Sequence, residues 1–380
     1  MKEETHEEKI DYLVDYFKEY ILDDVEKGIE GRNIGIPIPL PRLQGIINGV
    51  QKEQLILLGA KSGVGKSSFV DWCYVLYPYI YLQSQKKTKG TNTKLKVIYF
   101  SLERATRFKI QKWVCAYLFM KYGLIIDLAT LNSFPSKLFE ITPDIKKKIM
   151  SAEKFVNTML GSGDIEILEG QINPTGIYKH VNKYAEKVGI LTRETKLSKE
   201  GVEYRTVSYE ENDPDLYTII VIDHLGRLNR ESGMSERETI GKMSEYCSMF
   251  RDRYKFTPIM VSQFNRGSDG GDRARNGRLE PEPSDFAGSS NIYNDSDLVL
   301  SAYNPVKLKV TNALGYEMAK FKSKRGHNTF RAVYVLKNTQ GIDDIGIGLH
   351  FQGENGIFKE LPKPEDKADL EKIYEKLKKE

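Results

Sequence analysis

Apolar residues recur along this chain in two ways, at helical spacing and in short continuous runs, which together predict helices alternating with buried strands. Residues 7–27 carry Ile10, Leu13, Val14, Phe17, Ile21, Leu22 and Val25 on one helical face among acids and lysines, with Gly28 and Gly31 to end the helix. Such a stripe packs either on its own domain or on a neighbouring copy. Residues 35–41, Gly-Ile-Pro-Ile-Pro-Leu-Pro, cannot be helical and predict an extended connector. Apolar runs at 55–58, 96–103, 217–223 and 258–263 predict buried strands, helical spacing marks 104–122 and 236–254, and strand patterns return at 297–303, 330–337 and 345–351. The polar, basic run 83–94 reads as a surface excursion. Residues 124–215 read as an insertion holding a short core strand at 165–168, a helix at 174–187 and a hairpin near 191–209, and a charged helix starts near 365. The expected fold class is α/β: a mostly parallel twisted sheet flanked by helices, with functional residues at its carboxyl edge. The expected organisation is a linker helix and connector over 1–34, one core over 35–362 and a terminal helix over 363–380.

The first buried strand runs into Ala60-Lys61-Ser62-Gly63-Val64-Gly65-Lys66-Ser67-Ser68, after which helical spacing begins. Strand, glycine-rich turn, Lys-Ser and helix are the parts of a phosphate-binding loop. Gly63 and Gly65 let consecutive N–H groups face one centre at a helix N-terminus, where they suit a nucleotide phosphate. Lys66 would reach the β- and γ-phosphates, and the Ser67 hydroxyl would bind Mg²⁺. Ala60 stands where the motif has its first glycine, and a residue that small still permits the turn. ATP and Mg²⁺ are the expected ligands.

Composition narrows the rest. With 57 Lys+Arg against 53 Asp+Glu the net charge of +4 is mild, so any nucleic-acid site must come from local clustering. Cys73, Cys115 and Cys247 are odd in number and widely spaced, which argues against a disulfide framework or a paired-cysteine metal site and for a reducing compartment, the cytoplasm. The sequence holds no bilayer-length apolar stretch, and its first residues are polar.

Further polar groups stand at strand ends. Asp223 closes the 217–223 run and is the expected metal-side acid. Glu103 closes 96–103 and is the expected base that activates water, on a strand that lies beside the loop strand if the order follows nucleotide-binding ATPases; the alternative is a surface acid paired with Arg104 or Arg107. Gln263 closes a third strand and would feel the γ-phosphate. Directly after it, residues 265–284 are glycine-rich and hold Arg266, Arg273, Arg275 and Arg278, which suit a nucleic-acid backbone or, equally, a solvated loop with Asp269, Asp272 and Glu280.

The ordered strings Gly-Ile-Pro, Ala-Lys-Ser-Gly-Val-Gly-Lys-Ser, Tyr-Phe-Ser-Leu-Glu, Val-Ile-Asp-His, Val-Ser-Gln-Phe-Asn-Arg and Ser-Asp-Phe-Ala-Gly-Ser-Ser-Asn-Ile-Tyr-Asn-Asp-Ser-Asp-Leu-Val-Leu resemble the RecA-like motor domain of DnaB-type replicative helicases, in wording closest to phage-encoded members. The resemblance spans about residues 30–362 and implies a six-membered ring that binds ATP between subunits and moves on single-stranded DNA. It implies Lys66 and Ser67 on phosphate and Mg²⁺, Glu103 as base, Asp223 as metal-side acid and Gln263 as γ-phosphate sensor. It also implies that residues 7–27 dock on the adjacent subunit, and that a separate primase or helicase loader is a possible partner.

The chain departs from the family pattern in three places. Fewer than 50 residues precede the motor, so the family's N-terminal helical domain is not expected. The DNA loop, commonly Asp-Leu-Arg-x-Ser-Gly, reads Asp285-Phe286-Ala287-Gly288-Ser289-Ser290, so contact would fall to the backbone and side chains of Gly288, Ser289, Ser290 and Asn291 with the arginines of 266–278, and DNA binding would be weaker or more salt-tolerant. The interface motif, Lys-x-Arg then x-Gly, reads Lys337-Asn338-Thr339-Gln340-Gly341, so the arginine that completes a neighbour's site is Thr339. Such a finger contributes about 10³ to 10⁵ in rate, about 4 to 7 kcal/mol. Lys337, Lys324 and Arg325 are the expected substitutes. The alternative is a nucleotide-bound ring or filament that scaffolds, loads or assists recombination with weak or no hydrolysis; the two missing arginines favour it, and Lys66, Glu103, Asp223 and Gln263 favour the motor.

Overall fold

The computed structural model describes residues 17–31, 33–198, 201–264 and 279–379. Thirteen strands follow in chain order: β1 Ile56–Ala60, β2 Lys94–Ser101, β3 Ile165–Glu169, β4 Gly189–Ser198, β5 Gly201–Glu211, β6 Leu216–Asp223, β7 Thr257–Gln263, β8 Leu298–Tyr303, β9 Asn312–Ala313, β10 Tyr316–Glu317, β11 Phe330–Asn338, β12 Ile345–Gln352 and β13 Ile357–Glu360. Nine of them form one sheet in the order β13-β12-β11-β8-β1-β7-β6-β2-β3, parallel from β8 to β3 and antiparallel from β8 through β11 and β12 to β13.

The apolar runs are continuous because both faces of the sheet are covered. Alternate residues feed two cores. Ile56, Leu58, Val97, Tyr99, Val221 and Val261 pack under the segment that follows the phosphate loop, whereas Leu57, Ile98, Phe100, Ile222 and Met260 pack against the helices Pro174–Val188 and Glu236–Tyr254. The segment after the loop is helical from Lys66 to Thr88 and widens into a π-helical stretch over Asp71–Leu76. The terminal helix Lys367–Lys379 sinks Leu370, Tyr374 and Leu377 beside Phe321 and Phe330.

Several sequence expectations change. Residues 83–88 of the basic run complete the helix Tyr77–Thr88, and Lys94 already belongs to β2, which shortens the excursion to 89–93. Residues 124–215 are a crossover of the core rather than an insertion: the helix Pro143–Gly161, β3 and the helix Pro174–Val188 link β2 to β6, and the β4–β5 hairpin extends from them. β2 is not beside β1, because β7 and β6 lie between them. Near the start of the described chain the helix Asp23–Ile29 runs through Gly28 instead of ending there. Pro41 opens the helix Pro41–Ile47, where its fixed φ suits the first turn, so the extended connector stops at Leu40. Among the described residues no helix is long and apolar enough to cross a membrane.

Candidate functional site

β1 delivers the loop to the carboxyl edge of the sheet. Gly63 and Gly65 hold φ of 68° and 113°, values an L side chain rarely adopts, and the helix begins at Lys66. Lys66 Nζ donates to the carbonyls of Ala60 (3.1 Å) and Lys61 (3.2 Å). Burial pushes this ammonium down to about 8 against the pull of Asp223 and Glu103. Val64 is buried, Ser62 is exposed, and Ser68 lies against Gly356 of the β12–β13 turn.

Asp223 is buried at the end of β6, and donors surround its carboxylate. Ser67 Oγ donates to Oδ1 at 3.1 Å, Tyr99 Oη to Oδ2 at 2.8 Å, and Lys109 Nζ stands 3.6 Å from Oδ2. Lys109 also pairs with buried Asp71 at 3.0 Å and sits 3.8 Å from the centre of the Tyr99 ring. Burial raises Asp71 above the usual carboxylate range despite Lys109. Tyr99, Lys109 and Asp71 escaped the sequence reading. Asp71 had a signal, since it lies four residues after Ser67 and therefore on the same helical face.

Glu103 does not close a strand: it lies two residues past the end of β2, half-exposed, with Oε2 3.4 Å from His224 Nε2. His224 is buried, and desolvation holds its imidazole below the ordinary value against the pull of Glu103 and Asp223. Gln263 ends β7 directly opposite Ala60 and is exposed. Ser67 and Asp223 are thus in contact, Lys66 lies beside Ser67 at the helix start, and Gln263 ends the strand between β1 and β6, with Glu103 beyond them beside His224. The family model of the DnaB-like helicase C-terminal domain matches residues 142–360, more than half of the chain.

The chain belongs to the DnaB-like helicases. It is therefore an ATP-hydrolysing DNA helicase of the replicative type. The phosphate loop precedes the matched residues, and its place in the fold rests on structural likeness. A solved ATPase domain superposes with a TM-score of 0.60 at 17% identity, covering 91% of this chain and 99% of its own. A solved DnaB-like replicative helicase, described together with its interactions with primase, superposes with a TM-score of 0.61 at 16% identity, covering 94% of this chain and 71% of its own. Identities this low speak for the fold alone. No curated protein sequence matches the chain.

Two cations of this DnaB-like helicase stand on the loop without having been read from sequence. Arg331, buried on β11, donates from Nε to the Val64 carbonyl at 3.1 Å, and burial pushes it down to about 10. Lys307, in the short turn Pro305–Leu308 after β8, donates from Nζ to the Ser62 carbonyl at 3.1 Å. A cavity of about 640 Å³ opens beside the loop, lined by Arg331, Phe351, Asn304, Arg325 and Glu354.

The predicted substitutes for the missing arginine diverge. Arg325 lies 3.9 Å from Glu354 in that cavity, with Lys324 beside it tied through its backbone N–H to Leu377. Lys337 is near the other end of β11, where Nζ donates to the Asn294 carbonyl at 2.8 Å, and Thr339 is exposed just beyond it. Arg266, Arg273, Arg275 and Arg278 lie outside the described residues. Gly288, Ser289 and Ser290 belong to a 3₁₀ stretch, Pro283–Ser289, and a short helix, Ser290–Asp295; their side chains lie outside what is described, and Asn291 is exposed. Ahead of them Phe286 packs edge-on against Phe264, with ring centres 5.0 Å apart. Both rings press on Gly59, where an added Cβ would lie 2.3 Å from Phe286 and 2.5 Å from Phe264.

Proposed function

We propose that this helicase binds ATP with Mg²⁺ between Lys66, Ser67, Asp223, Glu103 and Gln263 and uses its hydrolysis to move along single-stranded DNA as a ring, a hexamer, in the cytoplasm. The observation that carries this reading is the 3.1 Å approach of Ser67 Oγ to Asp223 Oδ1 beside the loop lysine. Both are hard oxygen donors of the kind Mg²⁺ takes. When bound, Mg²⁺ neutralises charge on the β- and γ-phosphates. The loop amides of residues 62–67 cradle the β-phosphate, and Lys66 exchanges its two carbonyl contacts for phosphate oxygens. Water attacks the γ-phosphorus as Glu103 takes its proton; the bond to the bridging oxygen breaks, and that oxygen keeps the electron pair and leaves with ADP. Gln263, level with Ala60, senses the γ-phosphate.

From Gln263 the chain leads into the arginine segment, so Arg266, Arg273, Arg275 and Arg278 would hold DNA phosphates together with the backbone of Gly288, Ser289 and Ser290 and the side chain of Asn291. Ring formation is supported by the described part of the N-terminal helix. Phe17, Ile21, Leu22, Val25 and Ile29 are all exposed, and the helix Asp23–Ile29 buries none of its residues, which leaves an apolar stripe for a neighbouring copy. Lys337, away from its own loop, would serve the neighbour's site, whereas Lys324 and Arg325 would serve their own. A separate primase or loader would act on this ring.

Steady-state ATP hydrolysis at low salt, with and without single-stranded DNA, tests the reading. Turnover is expected to rise with DNA and to fall about 10²- to 10⁴-fold in Glu103→Ala. Undiminished turnover in that variant would overturn the assignment.

A further inference from the structure

The family position for a trans arginine is Thr339, yet the loop already carries a cation that neither the motif nor the family pattern assigns. Lys307 Nζ lies 3.1 Å from the Ser62 carbonyl and 2.4 Å from where a Cβ on Gly63 would stand, at the apex of the loop between Ala60 and Gly65. Its backbone is firmly placed. The turn Pro305–Leu308 follows β8, whose residues 298–301 pair with β1, and Lys309 closes the turn in the left-handed region with its N–H on the Val306 carbonyl. The lysine stem borders a crevice it shares with Lys61, Phe264 and Asp285, between the loop and the segment that leads toward the DNA-facing turns. Lys66 and Lys307 therefore both aim ammonium groups at one short loop. Two like charges held there repel each other until an anion of several charges lies between them.

We propose that Lys307 is a further catalytic residue of the ATPase reaction, acting in cis: it contacts the γ-phosphate at the loop apex and stabilises the charge spread over the γ-phosphoryl oxygens as the bond to the bridging oxygen breaks. It adds, from within the same subunit, to the electrostatic role that a neighbour's Lys337 would play in place of the arginine missing at position 339. No proton moves to or from it; the proton of the attacking water goes to Glu103. This rests on the nucleotide reading above.

The test uses the full chain, comparing Lys307→Ala and Lys307→Arg with the unaltered protein by steady-state hydrolysis and by binding of fluorescent ADP and a fluorescent non-hydrolysable ATP analogue. Lys307 is exposed, so both variants are expected to melt with the unaltered protein. The expected result is a fall in kcat of about 10²- to 10³-fold in Lys307→Ala, tighter binding of the ATP analogue lost about tenfold with ADP affinity unchanged, and most of kcat restored in Lys307→Arg. Equal losses for ADP and the analogue would mean that the lysine only holds the loop, and unchanged kcat would mean that it only caps the Ser62 carbonyl; either overturns the proposal. Failure of the unaltered chain to bind the analogue at all would instead remove the nucleotide reading on which the proposal stands.

Discussion

Asp223 and Glu103 serve one sheet edge, yet their side chains are 8% and 44% exposed, and Asp223 has Ser67, Tyr99 and Lys109 about its oxygens where Glu103 meets His224 at 3.4 Å. The Asp223 side of the site is a closed network of side chains. Its groups lock one another: Lys109 balances two buried carboxylates, Asp71 and Asp223, while Tyr99 and Ser67 supply hydroxyl donors. Glu103 is a carboxylate near the surface with His224 as its neighbour. On the proposed reading the difference has a use: positioning a metal tolerates little error, whereas a base is best withheld until the phosphate is in place.

That contrast can be broken in graded steps. Lys109→Ala would leave Asp71 and Asp223 buried without their cation, and urea unfolding should show a loss of about 3 to 5 kcal/mol. Tyr99→Phe removes one hydrogen bond to a charged oxygen, about 1.5 to 3 kcal/mol, and should appear as a raised Mg²⁺ requirement with the fold retained. Lys66 gives a pH test. With its ammonium released at about 8 in the folded free protein, kcat/KM for ATP should fall tenfold per unit above pH 8. The stability effect has the opposite sign: between about 8 and the ordinary value of 10.5 the folded chain binds fewer protons than the unfolded one, so this group's contribution rises with pH by about 1.4 kcal/mol per unit. His224→Ala releases Glu103 and truncates a buried ring, so it should cost about 1 to 2 kcal/mol of stability, with kcat shifting only a few-fold. A collapse of the fold in that variant would show that the two carboxylates are held alike.

The same contrast explains what could be read from the chain. β1, β2, β6 and β7 were legible because burial on both faces makes them unbroken apolar runs, and the positions of Asp223 and Gln263 at strand ends and of Lys66 and Ser67 at a helix start followed from them. The order of strands was not, since a local pattern does not say how many strands a crossover spans; hence β2 was placed beside β1. The helix Pro143–Gly161 was obscured by its surface character, with Ala152 and Met159 its buried residues. Arg331 and Lys307 reach the loop from 267 and 245 residues away, and nothing near them in sequence marks a phosphate. Lys109 reads as one more helical lysine until the fold sets Asp71 and Asp223 against it.

Gly59 has a mechanical consequence. With no side chain at that point, the loop strand bears directly on two rings that already touch each other. Close-packed aromatic edges have almost no compressibility. A joint of this kind leaves little slack between Phe264, next to Gln263, and Phe286. Alanine at 59 would jam the bearing, and a smaller residue in place of Phe286 would let the stroke go to waste.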